Sequence, residues 1–256
     1  MHKDSHKVAL FFGLIFSSTV TMASDEQKES SKNKVSGGLA VMSQYIYRGG
    51  VENDNPAVQV GLEYADASGV YVGYWGSTLN YDATDASKDH GFEHDFYIGY
   101  AGSLSPDLSY RSHIVTYLYN DGGSVSSEDG SQRRSTTGAE WVSNLSYQDF
   151  VLGVSIALAN VSYANAGDTY LNLTHHYILP HDISFNSSLG VSLYQHGNDV
   201  MFSTERRLTL NEIRLGLTKP IANTGFELSA DYIYGVYDRA GNDLDHHVVL
   251  GLAYNF

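Results

Sequence analysis

From residue 35 onward, apolar and polar residues alternate with a period of two over stretches of about ten residues, separated by clusters of Gly, Asn, Asp and Ser. Side chains of a strand point alternately to its two faces, so each stretch reads as a strand with one apolar and one mixed face. The clearest is 246–256, with His246, Val248, Leu250, Leu252, Tyr254 and Phe256 on one side and His247, Val249, Gly251, Ala253 and Asn255 on the other. Another sets Phe150, Leu152, Val154, Ile156 and Leu158 against the small residues Gly153, Ser155, Ala157 and Ala159. The pattern predicts about twelve strands, at 35–48, 58–64, 70–79, 92–101, 108–119, 136–147, 150–159, 169–178, 183–194, 208–218, 226–236 and 246–256. In 70–79 Val72 and Tyr74 oppose Tyr71, Trp75 and Ser77, and which row faces outward stays open.

The connections alternate as well. Long polar loops follow the odd-numbered strands and short turns the even ones, the asymmetry of an outer-membrane barrel with short periplasmic turns and long extracellular loops. Pro106, Pro180 and Pro220 fall in short turns and Pro56 in the first loop, outside every expected strand, as residues without an N–H must. Most stretches match the ~9–11 residues of a tilted transmembrane strand rather than the ~5–6 of a soluble one. Two aromatic girdles are expected, Tyr100, Tyr147, Phe150, Tyr177, Phe226, Tyr254 and Phe256 on the turn side, and Tyr45, Tyr47, Tyr74, Tyr232 and Tyr234 on the loop side. The fold class is therefore all-β, a transmembrane antiparallel up-and-down barrel over residues 35–256, closed by pairing 246–256 with 35–48.

Composition sharpens this picture. Residues 1–23 carry Lys3 and Lys7, an apolar stretch and a small-residue site at Ala23, the make-up of a signal peptide for export to the bacterial outer membrane. Residues 24–34 read as a polar periplasmic leader. With no Cys there is no disulfide frame, so the fold must hold by closure or membrane burial. The net charge is −14, and −15 without residues 1–23, whose Lys3 and Lys7 outweigh Asp4, so nucleic acid is not an expected partner. The His residues make no ligand set, and neither a metal nor a cofactor is expected.

The run Ser43-Gln-Tyr-Ile-Tyr-Arg-Gly49, then Asn55-Pro-Ala-Val-Gln-Val-Gly-Leu-Glu-Tyr64, then Gly69-Val-Tyr-Val-Gly-Tyr-Trp-Gly-Ser77, resembles the TorF family of putative porins. In that family a Tyr-x-x-Arg-Gly strand end precedes Pro-Ala-x-Gln and Gly-x-Tyr-x-Gly-x-Trp strands. Phe92-Glu-His-Asp-Phe-Tyr-Ile-Gly-Tyr100 is similar to its acidic-aromatic fourth strand. The resemblance covers residues 35–100 and implies a Gram-negative outer-membrane barrel; it supplies no catalytic residues.

Inward parity assigns Arg48, Glu63, Asp95, Arg111, His113, Glu140, Glu212, Arg214 and Asp231 to the lining of a pore, joined by Asn144, Asn172, His176, Asn186 and His247. These groups either line a narrow aqueous path or pair into a polar filling. Acidic groups outnumber Arg there, and loop acids (Asp54, Asp82, Asp85, Asp89, Asp121, Glu128, Asp129, Asp199, Asp243, Asp245) add to the field, so a channel for ions or small polar solutes with weak cation preference is expected. Two alternatives stay open. One is a lipid hydrolase on the barrel's outer face, for which His175 is the candidate, without a Gly-x-Ser-x-Gly motif; the other is a secreted β-sandwich that binds a ligand. Expected partners are outer-membrane lipid, small solutes and, through the strand ending at Phe256, the barrel-assembly machinery.

Overall fold

A computed structural model describes residues 33–127, 129–195, 201 and 203–256. Twelve strands close into one antiparallel barrel: β1 (Lys34–Met42), β4 (Ala57–Ala65), β5 (Val70–Leu79), β6 (Gly91–Ser105), β7 (Leu108–Tyr119), β10 (Gly138–Tyr147), β11 (Phe150–Ala157), β12 (Thr169–Leu179), β13 (Ile183–Leu193), β14 (Leu208–Pro220), β15 (Phe226–Gly235) and β16 (His246–Asn255). Each pairs with its neighbours in wall order, and β16 returns to β1 in the register Leu39 to Tyr254 and Val41 to Leu252. Two small hairpins stand outside the wall, β2 (Tyr45–Tyr47) with β3 (Gly50–Asn53) and β8 (Ser124–Ser126) with β9 (Arg133–Ser135). Closure overturns the β-sandwich expectation. The expected signal segment, most of the leader, and the loop acids Glu128 and Asp199 lie outside the described residues.

The alternation places its apolar row outside. Val35, Leu39, Val41, Leu62, Val72, Ile98, Leu152, Leu173, Leu215, Leu228 and Leu250 are exposed large hydrophobics, whereas Gln59, Ser77, Asp95, Glu140 and His176 are buried in the lumen. A soluble fold inverts this order; an apolar belt around a polar interior is the surface of a membrane-spanning barrel. Cross-strand register links Leu145 to Leu152, Leu173, Leu189, Ile213 and Tyr234 in turn, a lipid-facing row that climbs from the turn end to the long-loop end because the strands are tilted. Tyr100, Tyr147, Phe150, Tyr177, Phe226, Tyr254 and Phe256 form an exposed ring at the turn end, and Tyr232 and Tyr234 stand at the other. In β5, Val70 and Val72 face out, while Tyr71 and Trp75 are buried inside.

The first strand departs from expectation. Alternation continues through Arg48, but the wall strand stops at Met42 and residues 45–53 fold as a hairpin into the lumen. Tyr45 is buried there and Tyr47 packs against the same interior cluster, so neither belongs to the outer girdle. Period two cannot tell a wall strand from a hairpin strand, because both are pleated. Arg48 (φ 51) and Gly49 (φ 83) occupy the two central positions of the hairpin turn, where left-handed backbone is required. A Cβ on Gly49 would sit 2.9 Å from the carbonyl oxygen of Asn211. The remaining differences are at strand ends: β10 begins at Gly138, the loop before it contains the β8–β9 hairpin, and Pro220 is the last residue of β14, paired with Glu227 at an end where its missing N–H costs no ladder bond.

Candidate functional site

The hairpin positions the charged groups of the lumen. At its tip the Arg48 guanidinium donates from both terminal nitrogens to Glu140 on β10, at 3.0 and 2.7 Å, a bidentate bond. The same guanidinium lies 4.6 Å from the ring centres of Tyr47 and of Tyr170 on β12. Tyr117 donates to Glu140 at 3.0 Å and Tyr170 to Glu212 at 3.0 Å. Arg214 on β14 donates to the Ile46 carbonyl and to Glu212, each at 3.4 Å. Asn53 donates to the Thr78 carbonyl at 2.9 Å. The hairpin is thus tied to the wall on several sides and crosses the lumen.

Nearer the turn end a second cluster forms. Arg111 on β7 donates to Glu63 on β4 and lies 3.6 Å over the Tyr71 ring. Tyr97 donates to the same Glu63 oxygen at 3.0 Å, and the Tyr71 hydroxyl is 3.0 Å from Nδ1 of His113. Of the residues assigned to a pore lining, the fold therefore brings Arg48 to Glu140, Arg111 to Glu63, His113 to Tyr71, and Arg214 to Glu212. Asp231 lies across the β14–β15 register from Gly216, whose lack of a side chain makes room for its carboxylate. Asp95 stands apart: it is 1 % exposed, and neither carboxylate oxygen has a hydrogen-bond partner.

Asp95 has acidic company. Glu93 is two residues away on the same face of β6, and Glu52 on the hairpin accepts from Tyr81 at 2.7 Å. With Arg48 on Glu140 and Arg214 on Glu212, no basic side chain among the described residues pairs with Glu52, Glu93 or Asp95. One oxygen of Glu93, both amide atoms of the fully buried Gln59 and Nε1 of Trp75 are also unpartnered. Glu93 and Asp95 are thus buried beside Glu52 with acceptors left unused, in a space where a carboxyl is costly to ionise without a counter-charge. Glu93, within the Phe92–Tyr100 run, and Glu52, in the first loop, are not among the residues expected to line a pore. Parity with Asp95 is the signal for Glu93, hidden because Glu93 sits where the acidic loop runs into β6; Glu52 has no such signal, because it enters the lumen only through the hairpin.

Outside the spanning strands, the loop at residues 80–90 is held by Asp82, whose carboxylate accepts from Lys88 Nζ at 2.9 Å and from the Thr84 N–H at 2.9 Å. Lys88 first, and then these Thr84 bonds, hold the Asp82 carboxyl well below its ordinary range. On the outer face, His175 packs against Phe150 with ring centres 4.6 Å apart and planes tilted by 34°, and stands across the register from Ser187. Among the described residues no hydrogen bond joins His175 to Ser187 and none joins the imidazole to an acidic group. Among the described residues no group of three or more His, Cys, Asp or Glu is arranged to hold a metal ion. None of the helices there is long and apolar enough to cross a membrane.

Solved structures with a similar course of the chain include membrane proteins. A protein from a study of in-meso crystallisation of membrane proteins aligns with a TM-score of 0.49 at 8% identity, over 87% of this chain and 83% of that one. Outer membrane phospholipase A from Escherichia coli aligns with a TM-score of 0.44 at 11% identity, over 86% and 91%. OmpF of Salmonella typhi, solved with daunomycin, aligns with a TM-score of 0.42 at 11% identity, over 90% and 99%. These likenesses concern fold alone. A comparison with curated protein sequences finds no match. Residues 26–242, which take in the lumen hairpin and every wall strand but β16, match the Gcw_chp family model, and the chain belongs to that family of bacterial proteins of unknown function.

Proposed function

We propose that this protein is a bacterial outer-membrane channel for passive diffusion of ions and small polar solutes, with weak cation preference, and not an enzyme. The observation that carries the reading is the imbalance of charge around the lumen hairpin, where Glu52, Glu93 and Asp95 have no basic partner while Arg48 and Arg214 are each committed to a carboxylate. A group of ionised, uncompensated carboxylates on one side of a constriction raises the local concentration of cations and lowers that of anions. In this reading the long loops face outward and the short turns the periplasm, residues 1–23 direct export, and the β16 strand and Phe256 engage the barrel-assembly machinery. The TorF-type motifs around the hairpin support the same reading. They also make the Tyr-x-x-Arg-Gly segment part of the constriction, with Arg48 at its tip.

Planar-bilayer recording of the refolded protein under a salt gradient tests it. The expected result is small unitary conductance with a reversal potential displaced toward the cation equilibrium value, moving toward zero in Asp95→Asn combined with Glu93→Gln. An anion-selective reversal potential, or no conductance from protein shown to be folded, overturns the reading.

A further inference from the structure

At the long-loop end the wall between β10 and β11 continues beyond the lipid belt. The Leu158 N–H donates to the Ala139 carbonyl and the Ser162 N–H to the Ser135 carbonyl, each at 2.9 Å, which carries the register of Glu140 with Ala157 upward into the β8–β9 hairpin. Parity is kept: Thr136 and Val161 are buried, while Arg133, Ser135 and Asn160 stand on the exposed outer face with Leu158 of the belt. Asn160 follows Phe150 of the turn-side girdle by ten residues, about 33 Å along the strand and about 25 Å along the barrel axis at the usual tilt, which is the height of the apolar band. The outer face above Leu158 therefore meets lipid heads rather than hydrocarbon.

At this height lies a cleft of about 470 Å³ lined by Gln132, Arg133, Arg134, Ser135 and Asn160, with no acidic and no apolar side chain among them. Its hydrogen-bonding capacity is one-sided. Ser135 Oγ already accepts from the Thr137 N–H at 3.0 Å, and Asn160 Oδ1 from the Ala166 N–H at 2.9 Å, so a hydroxyl proton and amide N–H groups are what remain to offer. Arg133 is exposed and pairs with no acidic side chain among the described residues. Arg134 is committed within the wall, donating to the Val161 carbonyl at 3.3 Å and to Asn165 Oδ1 at 2.8 Å. Asp129, in the same loop, engages its carboxylate with the Ser127 and Ser131 hydroxyls. One acceptor stands among the donors: Gln132 Oε1, buried and without a partner among the described residues.

We propose that this cleft binds the phosphorylated-sugar head of an outer-leaflet glycolipid of the lipopolysaccharide kind. A guanidinium among neutral donors, with no carboxylate competing for it, suits a phosphate, whose oxygens all accept. Sugar hydroxyls supply the donor that Gln132 Oε1 lacks, and a ring carrying the phosphate has the bulk for a space that a phosphate ion alone leaves mostly empty. The acyl chains of such a lipid run down over Leu158 and Trp141, both exposed on the belt. The proposal rests on the reading that places the long loops outside the cell, and it stands whether or not the lumen conducts.

Native mass spectrometry of the full chain refolded in detergent micelles tests it, with bisphosphorylated lipid A, its dephosphorylated form and phosphatidylglycerol as probes. Bisphosphorylated lipid A is expected to bind as a single copy, at least about tenfold more tightly than either other lipid. Arg133→Gln, and Ser135→Asp, which keeps an acceptor for the Thr137 N–H while adding a negative charge, are each expected to weaken it about tenfold. Arg207→Gln, which removes another exposed arginine just ahead of β14, is expected to leave it unchanged. Heat-modifiable migration shows that each variant is folded. Equal binding of dephosphorylated lipid A or phosphatidylglycerol, affinity unmoved by Arg133→Gln or Ser135→Asp, or affinity lowered as much by Arg207→Gln overturns the proposal, whatever the conductance of the same preparation. Orientation is read separately in a chain that has no other cysteine: Ser131→Cys on intact cells is expected to react with a membrane-impermeant maleimide, and its protection in folded, inserted protein overturns the outward placement of the loops together with the glycolipid.

Discussion

At the scale of residues, the lumen turns on Arg48. Among the described residues it is the side chain that links the hairpin tip to β10 by hydrogen bonds, and Glu140 receives it through two bonds in a partly buried setting. Removing one partner of such a pair leaves the other charge stranded, a cost of about 3–5 kcal/mol. Arg48→Ala is therefore expected to release the hairpin tip and to raise unitary conductance several-fold, with an increase in cation preference because Glu140 joins the uncompensated carboxylates. Glu140→Gln is expected to release the tip as well, yet with lower cation preference than Arg48→Ala. Recording both variants in the same bilayers checks this; equal selectivity in the two would show that Glu140 does not face the ion path. The pairing of Arg48 with Glu140 was not legible in the sequence, because their separation of 92 residues is bridged only by the hairpin's entry into the lumen. The inward direction of Glu140 was legible from parity; that of Arg48 was not, because it stands in the turn of a hairpin with the lumen on both sides.

At the scale of elements, alternation placed the twelve wall strands to within a few residues, because lipid outside and polar groups inside impose the same period on every strand. It failed where that constraint is lifted. The hairpin 45–53 keeps the pleat but has the lumen on both sides, so Tyr45 and Tyr47 mimic girdle residues. The β1–β16 seam shows the other side of this trade: the residues that fill the lumen are those withdrawn from the wall. Closure consequently rests on few bonds, and Phe256 makes two of them, with Gly37, at 3.1 and 3.0 Å. Its ring also approaches Gly37 closely enough that a Cβ there would come within 2.9 Å of it. Deleting Phe256 is expected to lower the yield of folded, membrane-inserted barrel by several-fold before it changes any pore property. Comparison of heat-modifiable protein with total protein in membranes measures it, and a wild-type folded fraction would refute it.

At the scale of the whole molecule, the side chains that usually make a core are distributed the other way round, and this inversion makes a quantitative demand. Leu173 lies near the middle of β12 in the climbing row between Leu152 and Leu189, and its side chain is exposed. On a water-facing surface, replacing such a leucine by arginine changes stability by no more than about 0.5 kcal/mol. On a lipid-facing surface the guanidinium must enter the hydrocarbon, at about 2–4 kcal/mol near the midplane and about 0–1 kcal/mol at the interface. Val70, exposed at the turn end of β5 next to Tyr100, samples the interface. Leu173→Arg is thus expected to destabilise the barrel folded in bilayers by at least about 2 kcal/mol, and Val70→Arg by less than about 1 kcal/mol. Denaturant titrations into lipid vesicles give both values. The depth dependence carries the argument, since general loss of packing would not sort the two positions by their height on the barrel, whereas the cost of taking a charge out of water does.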